Sequence, residues 1–183
     1  MFSSGYTSAG ETSFSHSYSI KKSEVVVPPD VPMGQYRRIT QPFDNWLLTC
    51  DENMKVGKKI CNVSQTVIDE TGELAFNWAM AATEKGTPFF ILRTSANIKT
   101  GSVITMTVID PNGDKNKPLP PLQVALQGCT PAMCFGQIEV NRFLKSAIGI
   151  GASVSVSYTL NNGQTITLIL PLRGLKEAVA SIK

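Results

Sequence analysis

Near its C-terminal end the chain alternates apolar and hydroxyl residues with a period of two. Val154, Val156, Tyr158 and Leu160 are interleaved with Ser153, Ser155, Ser157 and Thr159, and Ile166, Leu168 and Leu170 with Thr165 and Thr167. Successive side chains of a strand point to opposite faces, so the pattern specifies two half-buried strands and excludes a helix, whose period is about 3.6. The joint between them carries Asn162-Gly163, the residues of a two-residue hairpin turn. Register rejects that turn, because it would pair Leu160 with Thr165 and send the two apolar sets to opposite faces. A three-residue loop, Asn161 to Gly163 with Gly163 in the left-handed region, pairs Leu160 with Gln164 and Tyr158 with Ile166, giving both sets one core.

The same period, less regular, marks further strands at Trp46 to Cys50, Lys59 to Ile68, Thr87 to Thr94, Ser102 to Ile109, Leu122 to Leu126 and Cys134 to Val140. In Ser102 to Ile109 the core set is Ile104, Met106 and Val108. Leu74 to Ala81 is ambiguous, since its alanines favour helix while Leu74, Phe76, Trp78 and Met80 alternate; the alternation decides for strand. Turn residues separate these runs at Glu70-Thr71-Gly72, Lys85-Gly86-Thr87-Pro88, Thr100-Gly101 and Asp110-Pro111-Asn112-Gly113-Asp114. Two short helices are expected, Asn141 to Ile148 and Leu175 to Ile182, the second with Leu175, Ala178, Val179 and Ile182 on one face to cap an open edge or end of the sheet. The fold class that follows is all-β, mostly antiparallel, a disulfide-stapled sandwich or barrel with a short C-terminal helix. With 183 residues, 42% of them hydrophobic, the chain supports one such domain over residues 41–183. Residues 1–40, rich in Ser and then in Pro from Val25 to Pro32, read as a flexible arm.

Four cysteines allow three pairings, and sequence alone does not choose formally among them. Spacing favours two local disulfides. Cys50 and Cys61 end and begin consecutive strand candidates, and Cys129 to Cys134 encloses a short loop in which Pro131 assists the turn. Buried free thiols remain the alternative; a zinc site fails, because the ten residues between Cys50 and Cys61 are too many for a cysteine knuckle and the single histidine, His16, lies in the arm. Disulfides imply export to the periplasm, the outer surface or the medium. Met1 to Tyr18 lack the basic start and apolar core of a secretory signal, so either there is no signal peptide or, as the export reading requires, it has been removed.

Catalytic chemistry is hard to place. A base must be held rigidly, and His16 sits between Ser15 and Ser17 in the arm. Nucleophile-elbow, phosphate-loop and zinc-protease motifs are missing from the sequence. Gly149-Ile150-Gly151-Ala152 leads into a strand and reads as a turn, as does Asp110 to Asp114, which lacks the ligand alternation of a calcium loop. Trp46, Phe76 and Trp78 fall at strand positions and read as core. The expectation is a non-enzyme with no catalytic residue, cofactor or metal.

A net charge of +3, from 17 Lys and Arg against 14 Asp and Glu, is too mild for a nucleic-acid binder. No apolar run reaches the roughly 20 residues of a membrane-spanning helix. Lysines and arginines do group locally, at Lys21-Lys22, Arg37-Arg38, Lys55/Lys58/Lys59 and Lys115/Lys117.

Taken in order, Phe43-Asp44-Asn45-Trp46-Leu47-Leu48-Thr49-Cys50, Cys61-Asn62-Val63-Ser64-Gln65, the Cys129/Cys134 pair and Gly174 to Ile182 resemble the invasion-associated locus B family over residues 41–182. Met133 stands where that family is expected to carry a glycine. The resemblance implies an exported bacterial protein, periplasmic or surface-associated, that aids entry into host cells, erythrocytes in particular, and has no known enzymatic activity. The four cysteines carry over as structural positions and Trp46 as a core residue. The expected partner is a host-cell surface or envelope protein, with the basic loop holding Lys55, Lys58 and Lys59 as the candidate contact. The competing expectation is an inhibitor or small-ligand carrier, using the Cys129–Cys134 loop or a pocket enclosed by the sheet.

Overall fold

The structure, a computed structural model, describes residues 27–82, 86–99, 101–109 and 119–182. The first 26 residues of the arm, with His16 and Lys21-Lys22, lie outside the described residues. So do Lys85, Thr100 and the segment from Asp110 to Asp114 with Lys115 and Lys117.

Ten strands form one sheet: β1 (Tyr36–Phe43), β2 (Trp46–Asn53), β3 (Lys58–Ile68), β4 (Leu74–Ala82), β5 (Pro88–Ser95), β6 (Val103–Ile109), β7 (Leu122–Cys129), β8 (Met133–Glu139), β9 (Ser153–Thr159) and β10 (Thr165–Pro171). Their order across the sheet is β1-β2-β3-β4-β5-β8-β7-β6-β9-β10. Every described pairing is antiparallel. The last hairpin has the register its alternation demands: Tyr158 pairs with Ile166, the Leu160 amide donates to the Gln164 carbonyl at 2.8 Å, and Gly163 has φ 85°.

The sheet curls into a half-barrel, bringing distant strands together across its concave face. Trp46 Nε1 on β2 donates to the Pro171 carbonyl on β10 at 3.2 Å, and the Tyr158 hydroxyl on β9 donates to the Ala75 carbonyl on β4 at 2.7 Å. Burial holds that phenol above its ordinary pKa. Between the two walls Trp78 lies 5.1 Å, centroid to centroid, from both Trp46 and Phe90, and 6.1 Å from Phe76. Side chains of this size each contribute about 4–6 kcal/mol of apolar burial before entropy is counted. One polar side chain sits among them: Gln65 accepts from Trp78 Nε1 at 2.9 Å through Oε1, and its Nε2 donates to the Pro171 carbonyl at 3.3 Å.

The helices are α1 (Arg142–Ile150) and α2 (Leu175–Ala180). Asn141 caps α1, its Oδ1 accepting from the Phe143 and Leu144 amides at 3.0 Å each, and Gly151 ends it in the left-handed region. Helix α2 is shorter than its apolar spacing predicts; it turns at Ser181, whose amide bonds back to Glu177. It packs on β1, β2 and β3. The entry to α2 is fixed by Gly174, at φ 90°, where an added Cβ would collide with the Phe43 carbonyl.

Strand β1 begins at Tyr36, inside the stretch read as arm from the sequence. Its side chains are exposed from Arg37 to Pro42, because it is an edge strand lying partly beyond the core, so no alternation marks it. Asp44, at φ 51°, makes the tight turn from β1 to β2, and Arg173 Nε pairs with its Oδ2 at 3.2 Å.

Candidate functional site

The two cysteine pairs occupy opposite ends of the half-barrel. Strands β2 and β3 pair from Leu47↔Ser64 to Asn53↔Lys58, so residues 54–57 form a tip closed by Gly57 at φ 67°. Cys50 is directly opposite Cys61 and disulfide-bonded to it, three residues below the tip on each strand. Cys129 is opposite Cys134 and bonded to it. Cys134 pairs with Thr94, Thr94 with Phe76, and Phe76 with Val67, which places this second staple at the far end of β3 from Lys58. No cysteine is free, which removes the free-thiol reading.

At the first end, Lys55, Lys58 and Lys59 are brought together and all three are exposed. The Asn53 side chain accepts from the Lys55 amide at 3.1 Å, and the Met54 amide donates to the Gln35 carbonyl at 2.8 Å, tying the tip to the lead-in of β1. The nearest strand acids are engaged by arginines: Arg38 Nε and Nη2 reach Asp51 at 2.6 and 3.0 Å, and Arg37 Nε reaches Glu52 at 2.9 Å. The hydrogen bond from Arg38 holds the Asp51 carboxyl below its ordinary pKa, against an opposing effect of partial burial. Both carboxylates are thus paired with arginines of β1.

The segment at the tip is not simply polar. Met54 is 42% exposed, Val56 65% and Ile60 56%, and Met33, two residues before the carbonyl that binds the tip, 88%. Sequence reading missed these four. The interleaving in Met54-Lys55-Val56-Gly57-Lys58-Lys59-Ile60 was the available signal, hidden by the turn character of the glycine and lysines.

A recess of about 500 Å³ opens at the same end. Its floor is the concave face of β3, β4 and β5, with Cys61, Val63, Met80 and Pro88; Val179 of α2 and Ile182 beyond it form one wall, and Lys59 also lines it. Volume and apolar lining are those of a small-molecule pocket at a barrel mouth. The two apolar side chains expected to pack on the sheet with Leu175 and Ala178 thus stay partly open: Val179 and Ile182 border the recess instead.

At the opposite end the Cys129–Cys134 loop is self-contained. Thr130 Oγ1 accepts from the Ala132 and Met133 amides at 3.3 and 3.1 Å, and the Thr130 amide donates to the Met133 carbonyl at 2.7 Å. Met133 starts β8 with no positive φ, so the turn does not require glycine there. Among the described residues, no three His, Cys, Asp or Glu side chains are grouped to hold a metal ion, and no helix is long and apolar enough to cross a membrane.

The model of the invasion associated locus B (IalB) protein family matches residues 46–183. The chain belongs to the invasion-associated locus B family. The match to IalB begins at Trp46, so it takes in both disulfides, the lysine tip, the recess and α2, and leaves out β1. A crystal structure of invasion-associated protein B from Bartonella henselae superposes with a TM-score of 0.58 at 16% identity, over 78% of this chain and 92% of that one, which establishes a shared fold. No curated protein matches the IalB-family sequence described here.

Proposed function

We propose that this invasion-associated protein is exported and acts by contact rather than catalysis, aiding entry into host cells such as erythrocytes by presenting the β2–β3 tip to a host-cell or envelope surface. The observation that carries the reading is the placement of Lys55 on the tip and of Lys58 and Lys59, the first two residues of β3, at one exposed end of the sheet. Export is supported by two disulfides, which persist in oxidising compartments. Charge reversal, Lys55→Glu with Lys58→Glu and Lys59→Glu, is expected to weaken attachment to anionic cells, with an effect that shrinks as salt rises, since exposed charges are screened over about 8–10 Å at physiological strength. Attachment equal to that of the unmodified protein would end this assignment.

The recess supports a second reading, a carrier of a small apolar ligand. Met80→Trp is expected to fill it and abolish uptake of an apolar fluorescent probe; undiminished uptake removes the carrier reading.

A further inference from the structure

We infer that the surface recognised by the β2–β3 tip is an anionic lipid bilayer, which the tip enters to the depth of its interface. The inference rests on the contact reading above and names the partner. A purely ionic partner, such as a sulfated or sialylated glycan, has use for Lys55 and Lys58 but none for the side chains between and beside them. Val56 stands between those lysines at the outermost point of the hairpin, and Ile60 follows them by two residues, both more than half exposed in a chain that buries Val63, Trp46 and Leu48 on the adjoining strands. Met54 and Met33 extend the apolar set toward the lead-in of β1, to which the tip is hydrogen-bonded.

A bilayer interface satisfies both halves of this arrangement. Headgroup phosphates attract the lysines, the acyl boundary takes the Val, Ile and Met side chains, and long lysine stems let the ammonium groups stay at phosphate level while the shorter apolar groups go deeper. The acids that would oppose approach, Asp51 and Glu52, are held in ion pairs by Arg38 and Arg37. The tip is also presented on a paired scaffold, because β1 and β3 flank β2 on both sides and the Met54 amide donates to the Gln35 carbonyl.

The test is co-sedimentation of the full chain with phosphatidylcholine vesicles made with and without phosphatidylglycerol, run beside retention on heparin. Binding is expected only to the anionic vesicles. Each lysine changed to Ala will weaken it about five-fold. Val56→Ser with Ile60→Ser, which leaves every charge in place, will weaken vesicle binding about ten-fold or more and leave heparin retention unchanged. Both sites are exposed, so an unchanged circular dichroism spectrum and melting curve will certify the fold. No binding of the unmodified chain to anionic vesicles, or full binding by the Val56/Ile60 variant, overturns the proposal. If vesicles are ignored while attachment to cells still requires the lysines and is lost on protease treatment of the cells, the partner is a protein: the contact reading stands and the bilayer does not. If lysine reversal leaves cell attachment intact while vesicles still bind, the contact reading fails on its own.

Discussion

Replacing Cys50 and Cys61 with alanine removes a crosslink between residues 11 apart in sequence, and replacing Cys129 and Cys134 removes one between residues 5 apart. In the chain-entropy account, the loops confine the unfolded state by about 2.8 and about 2.1 kcal/mol respectively. Each pair has one buried cysteine, Cys50 or Cys134, so cavity costs are similar and the difference reflects loop length. The two staples together contribute about 5 kcal/mol, the low end of a whole domain's stability. The assay is urea unfolding followed by tryptophan fluorescence, since Trp46 and Trp78 are both buried in the core. With a slope of roughly 2 kcal/mol/M, loss of the first staple lowers the midpoint by about 1.4 M and loss of the second by about 1 M. A larger drop for the shorter loop, or no drop for either at unchanged slope, refutes the reasoning.

Gln65→Leu strands the indole N–H of Trp78 in the core and is expected to destabilise by about 1–3 kcal/mol in the same unfolding assay. Gly174→Ala forces a left-handed alanine against the Phe43 carbonyl and is expected to cost about 2–4 kcal/mol, read as a lowered melting temperature. Because Asp51 has a depressed pKa in the folded protein, its contribution is fully present above the unfolded carboxyl value of about 3.9 and is lost as pH falls through the folded value below it. Unfolding at a series of acid pH values is therefore expected to show less acid loss for Asp51→Asn below about pH 4 than for the parent chain.

Where one face of a strand meets the core, the sequence was readable. The final hairpin declared both its strands and its loop, because a slip of one residue would have exposed Val154, Val156 and Tyr158 together. Alternation settled β4 as well, against the helix preference of its alanines, since Phe76 and Trp78 had to share the concave face. β1 was not readable. An edge strand whose side chains from Arg37 to Pro42 are exposed has no reason to alternate, and its partner was visible only once β2 was in place. The site was half legible for the same reason. Lysines announce themselves in a turn, whereas Val56 and Ile60 look like ordinary core residues until the fold shows that the tip extends past the core.

Stability and contact are separable in this architecture. The Cys50–Cys61 staple lies on the tip hairpin, and it is tempting to make it the device that holds the lysines in place. Yet β2 is paired on both sides, to β1 over the whole of Tyr36 to Phe43 and to β3 up to Asn53↔Lys58, and the Met54 amide is held by Gln35. The backbone around the tip is thus fixed by ladders that exist whether or not the sulfurs are joined, while the staple acts mainly on the unfolded chain. It follows that the Cys50→Ala/Cys61→Ala variant, measured well below its melting temperature, will bind anionic surfaces within about two-fold of the parent chain despite losing about 2.8 kcal/mol of stability. A loss of binding as large as that from lysine reversal, in protein shown by fluorescence to be folded, would instead make the disulfide part of the contact surface.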